Sequence, residues 1–141
     1  MSDPRINSVQ IPYGYVTPDF PSLHWPSGQT METLYYLYYR KDIWRFTLYW
    51  TMIMYAVVHL VAGSWAMTMT RRVKGGVFIM FTYLAIAVLE GFISGSIVGA
   101  ILGLIYSAGS FTMSTWIPFV WAVIQIFIII MTGYSMSAMV M

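Results

Sequence analysis

Of 141 residues, 59% are hydrophobic, 18% aromatic and 9% charged, with a mean hydropathy of +0.70; a soluble domain carries about a quarter charged residues, so this chain is composed for lipid. The formal net charge of +2 is too small to imply a nucleic-acid partner, and the basic residues form no polybasic block that reads anionic lipid along a sequence. The absence of cysteine excludes disulfides, thiol catalysis and cysteine metal sites, and leaves the redox compartment open.

Residues 1–30 hold Pro4, Pro12, Pro18, Pro21 and Pro26 with Gly14 and Gly28, the composition of an extended, irregular segment. No apolar run follows the start, so no cleavable signal peptide is expected and the first span has to act as the targeting signal. Asn7-Ser8-Val9 lacks the third-position hydroxyl of a glycosylation acceptor. Tyr13, Tyr15, Phe20 and Trp25 are more aromatics than a solvated tail carries, which places part of the segment on the bilayer or on another protein. Residues 31–42 then gather Tyr35, Tyr36, Tyr38 and Tyr39 just ahead of the first apolar run. Tyrosine favours the headgroup level, where its ring is buried and its hydroxyl wet. The expectation is a short interfacial helix over 31–42, anchored by these tyrosines, by Trp44 and, further along, by Trp116, with Asp42 as N-cap of the following span. The spacing singles out no aromatic cage for a quaternary amine.

Three predominantly apolar runs follow, each longer than the ~18 residues that mark a span. They predict an all-α integral membrane protein, with residues 43–141 as one membrane domain and spans over about 44–70, 77–106 and 117–138. The first is stopped by Arg71-Arg72-Val73-Lys74-Gly75-Gly76, a tight basic turn. At ~1.5 Å per residue the second is ~45 Å long against a ~30 Å hydrocarbon core, so it has to tilt, protrude or loosen at a glycine. The linker over 107–116 is uncharged, and Pro118 suits the first turn of the third helix. Arg40, Lys41 and Arg45 at one end of the first span are matched by Arg71, Arg72 and Lys74 at the other, so the excess of basic residues that marks the cytosolic side is tied.

Within the second span, Gly91, Gly95, Gly99 and Gly103 recur at every fourth position, extended by Ala87 and Ser107. In lipid such a small-residue stripe lets another helix approach to backbone contact. Four-residue spacing drifts ~40° around the helix per step, which predicts that a straight partner loses the stripe before its end. The first span offers Ala56, Gly63 and Ala66 as a matching small face, with His59 on the same side. Two outcomes are open: part of the ladder packs an intramolecular helix and the rest awaits a second protein or a second copy, or the flanking helices of this chain take all of it.

One strongly polar residue interrupts each span: His59, Glu90 and Gln125. A carboxylate at mid-bilayer is disfavoured by several kcal/mol, so Glu90 is expected to face inward and be paired or protonated. Counting ~1.5 Å per residue from the span ends brings all three to one level within a turn, which predicts a cluster in which Glu90 meets His59, Gln125 or both. Such a cluster either fixes helix register by hydrogen bonding or serves as an ion relay or polar-ligand site. His24 and His59 are the only histidines and lie too far apart for a metal motif.

Several segments together resemble the transmembrane protein 170 family. Asp42-Ile43-Trp44 resembles the start of that family's first span, and His59-Leu60-Val61-Ala62-Gly63 its middle. Arg71-Arg72-Val73-Lys74 is similar to its first loop, and Ile105-Tyr106-Ser107-Ala108, Ile117-Pro118-Phe119 and Gln125 match the remainder. The resemblance covers about residues 42–135, and the short loops and divergent tail suggest a fungal-type member. Glu90 departs from the small or apolar residue expected at its position in animal members, and the charges expected just before the third span are absent. The resemblance implies three spans, residence in the endoplasmic reticulum and nuclear envelope, a luminal N-terminus, and loop 71–76 and the C-terminus in the cytosol. It also implies roles in reticulum shape and membrane-protein assembly.

The sequence shows no nucleophile–base pair, phosphate loop or metal constellation, so no catalytic, cofactor or metal residues are assigned and no enzyme is expected. The expected function is that of an accessory protein binding a larger polytopic client, of permease or membrane-synthase type, by helix docking on an exposed glycine face. Alternatives are a membrane-shaping protein acting through self-association, and a small transporter using Glu90.

Overall fold

The structure, a computed structural model, describes residues 11, 13–23, 35–70 and 75–140, with side chains throughout except at 136–138 and 140. The element order is β1 (Tyr36–Leu37), α1 (Arg40–Met69), α2 (Gly76–Gly109), β2 (Met113–Ser114) and α3 (Trp116–Val140). Three helices are long and apolar enough to cross a membrane, Arg40–Met69, Gly76–Gly109 and Trp116–Ser135. This is an all-α integral membrane fold, with helix bounds close to those the apolar runs predict. The basic run at 71–74, residues 31–34 and His24 lie outside the described residues.

Each helix ends for a local reason. α2 runs a turn beyond the expected Tyr106 because its stop lies at Ser110, held in the left-handed region at φ 57°. There the N–H groups of Ser110 and Phe111 both donate to the Tyr106 carbonyl, a Schellman-type close in which Ser stands where Gly is usual. Pro118 lies in the first turn of α3 and is fully buried, where its missing N–H leaves no helix bond unmade.

The aromatic stretch before α1 is not the interfacial helix expected over 31–42. In its described part, Tyr36 and Leu37 form β1, which pairs antiparallel with β2 in the register Tyr36 to Ser114 and Leu37 to Met113. The Thr115 N–H adds a bond to the Tyr35 carbonyl at 3.1 Å. The ribbon wins because it gives two otherwise unpaired backbone segments at one membrane face partners for their N–H and C=O groups. Asp42 is not the N-cap either: Tyr39 holds that position without a side-chain cap, and Asp42 falls in the first turn.

The N-terminal segment closes over this ribbon, so Tyr15 and Phe20 meet the chain itself, whereas Tyr13 is fully exposed and Trp25 lies outside the described residues. Tyr15 Oη donates to the Tyr36 carbonyl at 2.8 Å, Thr17 Oγ1 to Asp42 Oδ2 at 2.9 Å, and Thr115 Oγ1 to the Ser22 carbonyl at 2.9 Å. The Phe20 ring packs on Phe46, Tyr49 and Trp50. Tyr38, expected at the headgroup level with its neighbours, is buried edge-on against Tyr15, ring centroids 4.7 Å apart. Leu37, Ile43, Phe46, Leu102 and Met113 form the buried core directly beneath. The apolar core thus lies at one end of the helix bundle, and the N-terminal segment is its cap.

Burial pushes the Tyr15 phenol up to about 12, reinforced by the Asp42 carboxylate, because both penalise a phenolate there. Burial also raises Tyr38.

α1 and α2 lie against each other along most of their length, whereas α3 rests mainly on α1 and barely touches α2. That asymmetry creates the site described next.

Candidate functional site

The glycine ladder of α2 faces α1 from end to end. A Cβ on Gly91 would meet Met52 and Tyr55, on Gly95 Leu48 and Thr51, on Gly99 Trp44, and on Gly103 Arg40. The α1 partners fall in number as the glycines rise, so the helices are antiparallel. At the far end Gly63 of α1 lies against Met80 and Tyr83, and Ala87 is buried.

This corrects two expectations. No glycine face is left for a second protein: Gly91, Gly95, Gly99 and Gly103 are all buried within the chain. Nor does a partner lose the stripe, because α1 carries its own four-residue series, Arg40, Trp44, Leu48 and Met52. Both stripes drift by the same ~40° per step, so contact persists. Opposite the four glycines stand mostly large side chains over bare backbone; of the expected small face, Gly63 does meet α2, but at Met80 and Tyr83 beyond the ladder. Ser107 is partly exposed, beyond the last α1 residue in the seam.

The polar residues form two groups, not one. His59 Nε2 lies 3.6 Å from Glu90 Oε2. Gln125 joins neither; its Oε1 accepts from Ser94 Oγ at 2.5 Å and its Nε2 donates to Thr51 Oγ1 at 3.1 Å. Thr51, Ser94 and Gln125 come from α1, α2 and α3 in turn, so one buried amide ties all three helices. Depth arithmetic from Pro118 sets Gln125 level with Glu90. Instead Ser94 and Thr51 lie one to two turns nearer the capped end than Glu90 and His59, ~6–12 Å, because the ribbon fixes where α3 begins.

The tautomer of His59 follows from its neighbours. Its Nδ1 lies 2.9 Å from the Tyr55 carbonyl, and a carbonyl only accepts, so Nδ1 carries a hydrogen. In a neutral ring Nε2 then presents a lone pair to Glu90. A hydrogen bond between the two requires one further proton, on the carboxyl or on the ring.

Glu90 does not face fully inward as expected: its side chain is 49% exposed. It opens onto a groove of about 560 Å³ between α2 and α3, lined by Tyr55, Glu90, Ile93, Ser94, Ile97, Ile129, Thr132 and Gly133. The groove exists because α3 leans on α1 and away from α2. Its walls are aliphatic and its polar groups few, so it can receive an apolar segment and offer a hydrogen bond at mid-depth. Among the described residues no group of three His, Cys, Asp or Glu side chains comes together at metal-binding distance.

Of the expected anchors, Trp116 packs edge-on against Phe119, Trp44 is partly buried on the glycine seam, and Tyr35, Tyr36 and Tyr39 are partly exposed around the ribbon. The residues that sequence reasoning passes over are Thr51, Ser94 and Tyr55. One signal was available: Thr51 and Tyr55 lie four apart, on the helix face that also holds Leu48.

Three apolar helices closed by a small cap, with a glycine seam and a polar tie across the spans, define a small polytopic membrane protein. The chain belongs to the transmembrane protein 170A/B-like family, which it matches over residues 36–140. It is 40% identical over 136 residues to the uncharacterized protein YPR153W of Saccharomyces cerevisiae, covering 96% of this chain and 97% of that one. No solved structure matches it.

Proposed function

We propose that this protein is a non-enzymatic accessory subunit of the endoplasmic reticulum membrane that receives one transmembrane helix of a larger polytopic client in the groove between α2 and α3. The observation that carries this reading is the splay of α3 from α2, which leaves Ile93 and Ile97 of α2 and Ile129 of α3 lining an open groove that Glu90 also lines. In lipid, association depends on close packing and interhelical hydrogen bonds rather than on apolar burial. A preformed groove with one acidic group therefore suits a client helix that carries a basic or amide side chain at mid-bilayer. The client is of permease or membrane-synthase type, whose many helices include polar ones. The N-terminal cap lies in the lumen and the 71–76 loop and the C-terminus in the cytosol, as the family resemblance implies, with residence extending to the nuclear envelope.

The test is purification in mild detergent with quantitative identification of co-purifying membrane proteins, repeated with Ile97→Trp, which fills the groove, and Glu90→Ala, which removes its acid. A stoichiometric client lost from Ile97→Trp and weakened by Glu90→Ala supports the reading. A client retained by both variants overturns it. So does a product that contains only further copies of this chain, the result expected of a membrane-shaping oligomer.

A further inference from the structure

A second cleft, of about 240 Å³, opens at the capped end where the start of α1 meets the last turns of α2. Arg40 and Lys41 stand at its rim, and Trp44, Ala100 and Leu104 form its walls. Arg40, Lys41, Ala100 and Leu104 are all exposed, so the cleft faces the surrounding bilayer and not the bundle interior. Trp44 marks the boundary between headgroups and acyl chains, and Arg40 lies one turn further out, ~6 Å along the helix, at the level of lipid phosphates. The cleft is therefore cationic outside and apolar inside.

Among the described residues no carboxylate lines the cleft to compensate the two cations. Asp42, the next residue along, accepts from Thr17 and lines a separate recess with Asp19 and Arg45, while Arg45 lies over the Tyr49 ring at 5.9 Å. Along the sequence these basic residues look like an unremarkable tied count; the fold divides them, Arg45 toward the carboxylates and Arg40 and Lys41 toward the cleft.

We propose that this cleft binds an anionic phospholipid, with Arg40 and Lys41 on the headgroup phosphate and the glycerol and upper acyl chain against Leu104, Ala100 and Trp44. An Arg fork matches phosphate oxygens in two-point geometry and the Lys ammonium adds a mobile charge. The apolar walls select an amphiphile over a soluble phosphate ester, and the two cations select an anionic headgroup over a zwitterionic one.

The full chain is reconstituted in nanodiscs of phosphatidylcholine with a minor share of phosphatidylserine, and retained lipid is identified by native mass spectrometry after release into detergent. The wild type retains phosphatidylserine out of proportion to its share. The double variant Arg40→Gln, Lys41→Gln loses that preference by roughly tenfold to thirtyfold, as two surface charges are worth. Ala100→Trp, which fills the apolar wall and keeps both charges, loses it as well. Arg45→Gln, which removes an equal charge facing the other way, keeps it. Unchanged preference in the double variant overturns the proposal, as does an equal loss in Arg45→Gln, which would show diffuse attraction. Displacement of bound lipid by glycerophosphoserine at the same concentration as by phosphatidylserine would also overturn it, since the acyl chain would then contribute nothing.

Discussion

Gly99 lies directly on the backbone of Trp44: a Cβ built on the glycine falls 3.1 Å from the Trp44 carbonyl oxygen and 3.2 Å from its Cα. Backbone cannot swing aside as a side-chain tip can, so this is the tightest point of the α1–α2 seam. Four residues on, Gly103 has its nearest neighbour, the Arg40 carbonyl, at 3.5 Å, an ordinary contact.

The ladder is therefore graded, and the gradation is testable with the smallest possible substitution. Gly99→Ala is expected to destabilise by about 1–3 kcal/mol, the usual cost of forcing a methyl into a packed interior. Gly103→Ala is expected to be neutral or slightly stabilising, because a methyl fits and alanine is the better helix former. Reversible unfolding in mixed detergent micelles measures both. Equal effects at the two positions would show that the seam is not held by backbone contact.

Gln125 makes a second prediction, since it bonds both Thr51 and Ser94. Gln125→Leu keeps the volume and removes both bonds. The expected loss is about 1 kcal/mol, as interhelical bonds in membrane proteins average ~0.6 kcal/mol with a maximum near ~1.7. Both hydroxyls can turn to carbonyls of their own helices, which limits the damage. A double-mutant cycle with Thr51→Val should give a coupling energy of roughly half the total. Zero coupling would mean that Gln125 merely fills space.

Much of this fold is legible in the sequence, because lipid leaves helix as the default for an apolar run. The four-residue glycine rhythm announces a close helix contact. The identity of the contact is not legible. The drift of one stripe looks fatal to a long contact until the matching drift of Arg40, Trp44, Leu48 and Met52 is seen, and those large residues carry no sign of being a partner face. The cap escapes for another reason: the Tyr36–Leu37 pairing with Met113–Ser114 joins two short segments far apart in sequence, neither with strand periodicity. Depth arithmetic identifies His59 and Glu90 as neighbours because one short loop joins their helices. It misplaces Gln125 because α3 takes its height from that unforeseen ribbon.

His59 and Glu90 make a third prediction. With Nδ1 donating to the Tyr55 carbonyl, Nε2 is the ring nitrogen that faces Glu90. Nitrogen-15 spectra of histidine-labelled protein in bilayers should show Nδ1 protonated, while Nε2 responds to substitution at Glu90. Glu90→Gln should preserve the contact, the amide N–H donating to Nε2, whereas Glu90→Ala should leave Nε2 a bare acceptor and shift its resonance. An Nδ1 without a proton would refute the assignment.

The last prediction concerns the cap, which Tyr15 fastens to the ribbon through the Tyr36 carbonyl. The phenol is held up to about 12 on the ribbon and titrates at about 10 when free. Below pH ~10 both forms keep the proton and attachment is at full strength. Between about 10 and 12 the detached segment ionises and the attached one does not, so rising pH favours detachment. The shift is at most about a hundredfold, and less for a phenol that is only half-buried. Trp50 reports the event, since Phe20 of the segment packs tilted against its ring with centroids 5.1 Å apart, and its fluorescence in detergent should change over that alkaline window. Tyr15→Phe loses the hydrogen bond, so the cap is weaker at neutral pH, but it also loses most of the alkaline step. A small remainder belongs to Tyr38, which burial raises in the same direction. A tyrosinate difference titration, wild type minus Tyr15→Phe, should isolate one phenol ionising well above the others. A Tyr15 that ionises with the exposed tyrosines would show that the segment does not sit on the ribbon in solution.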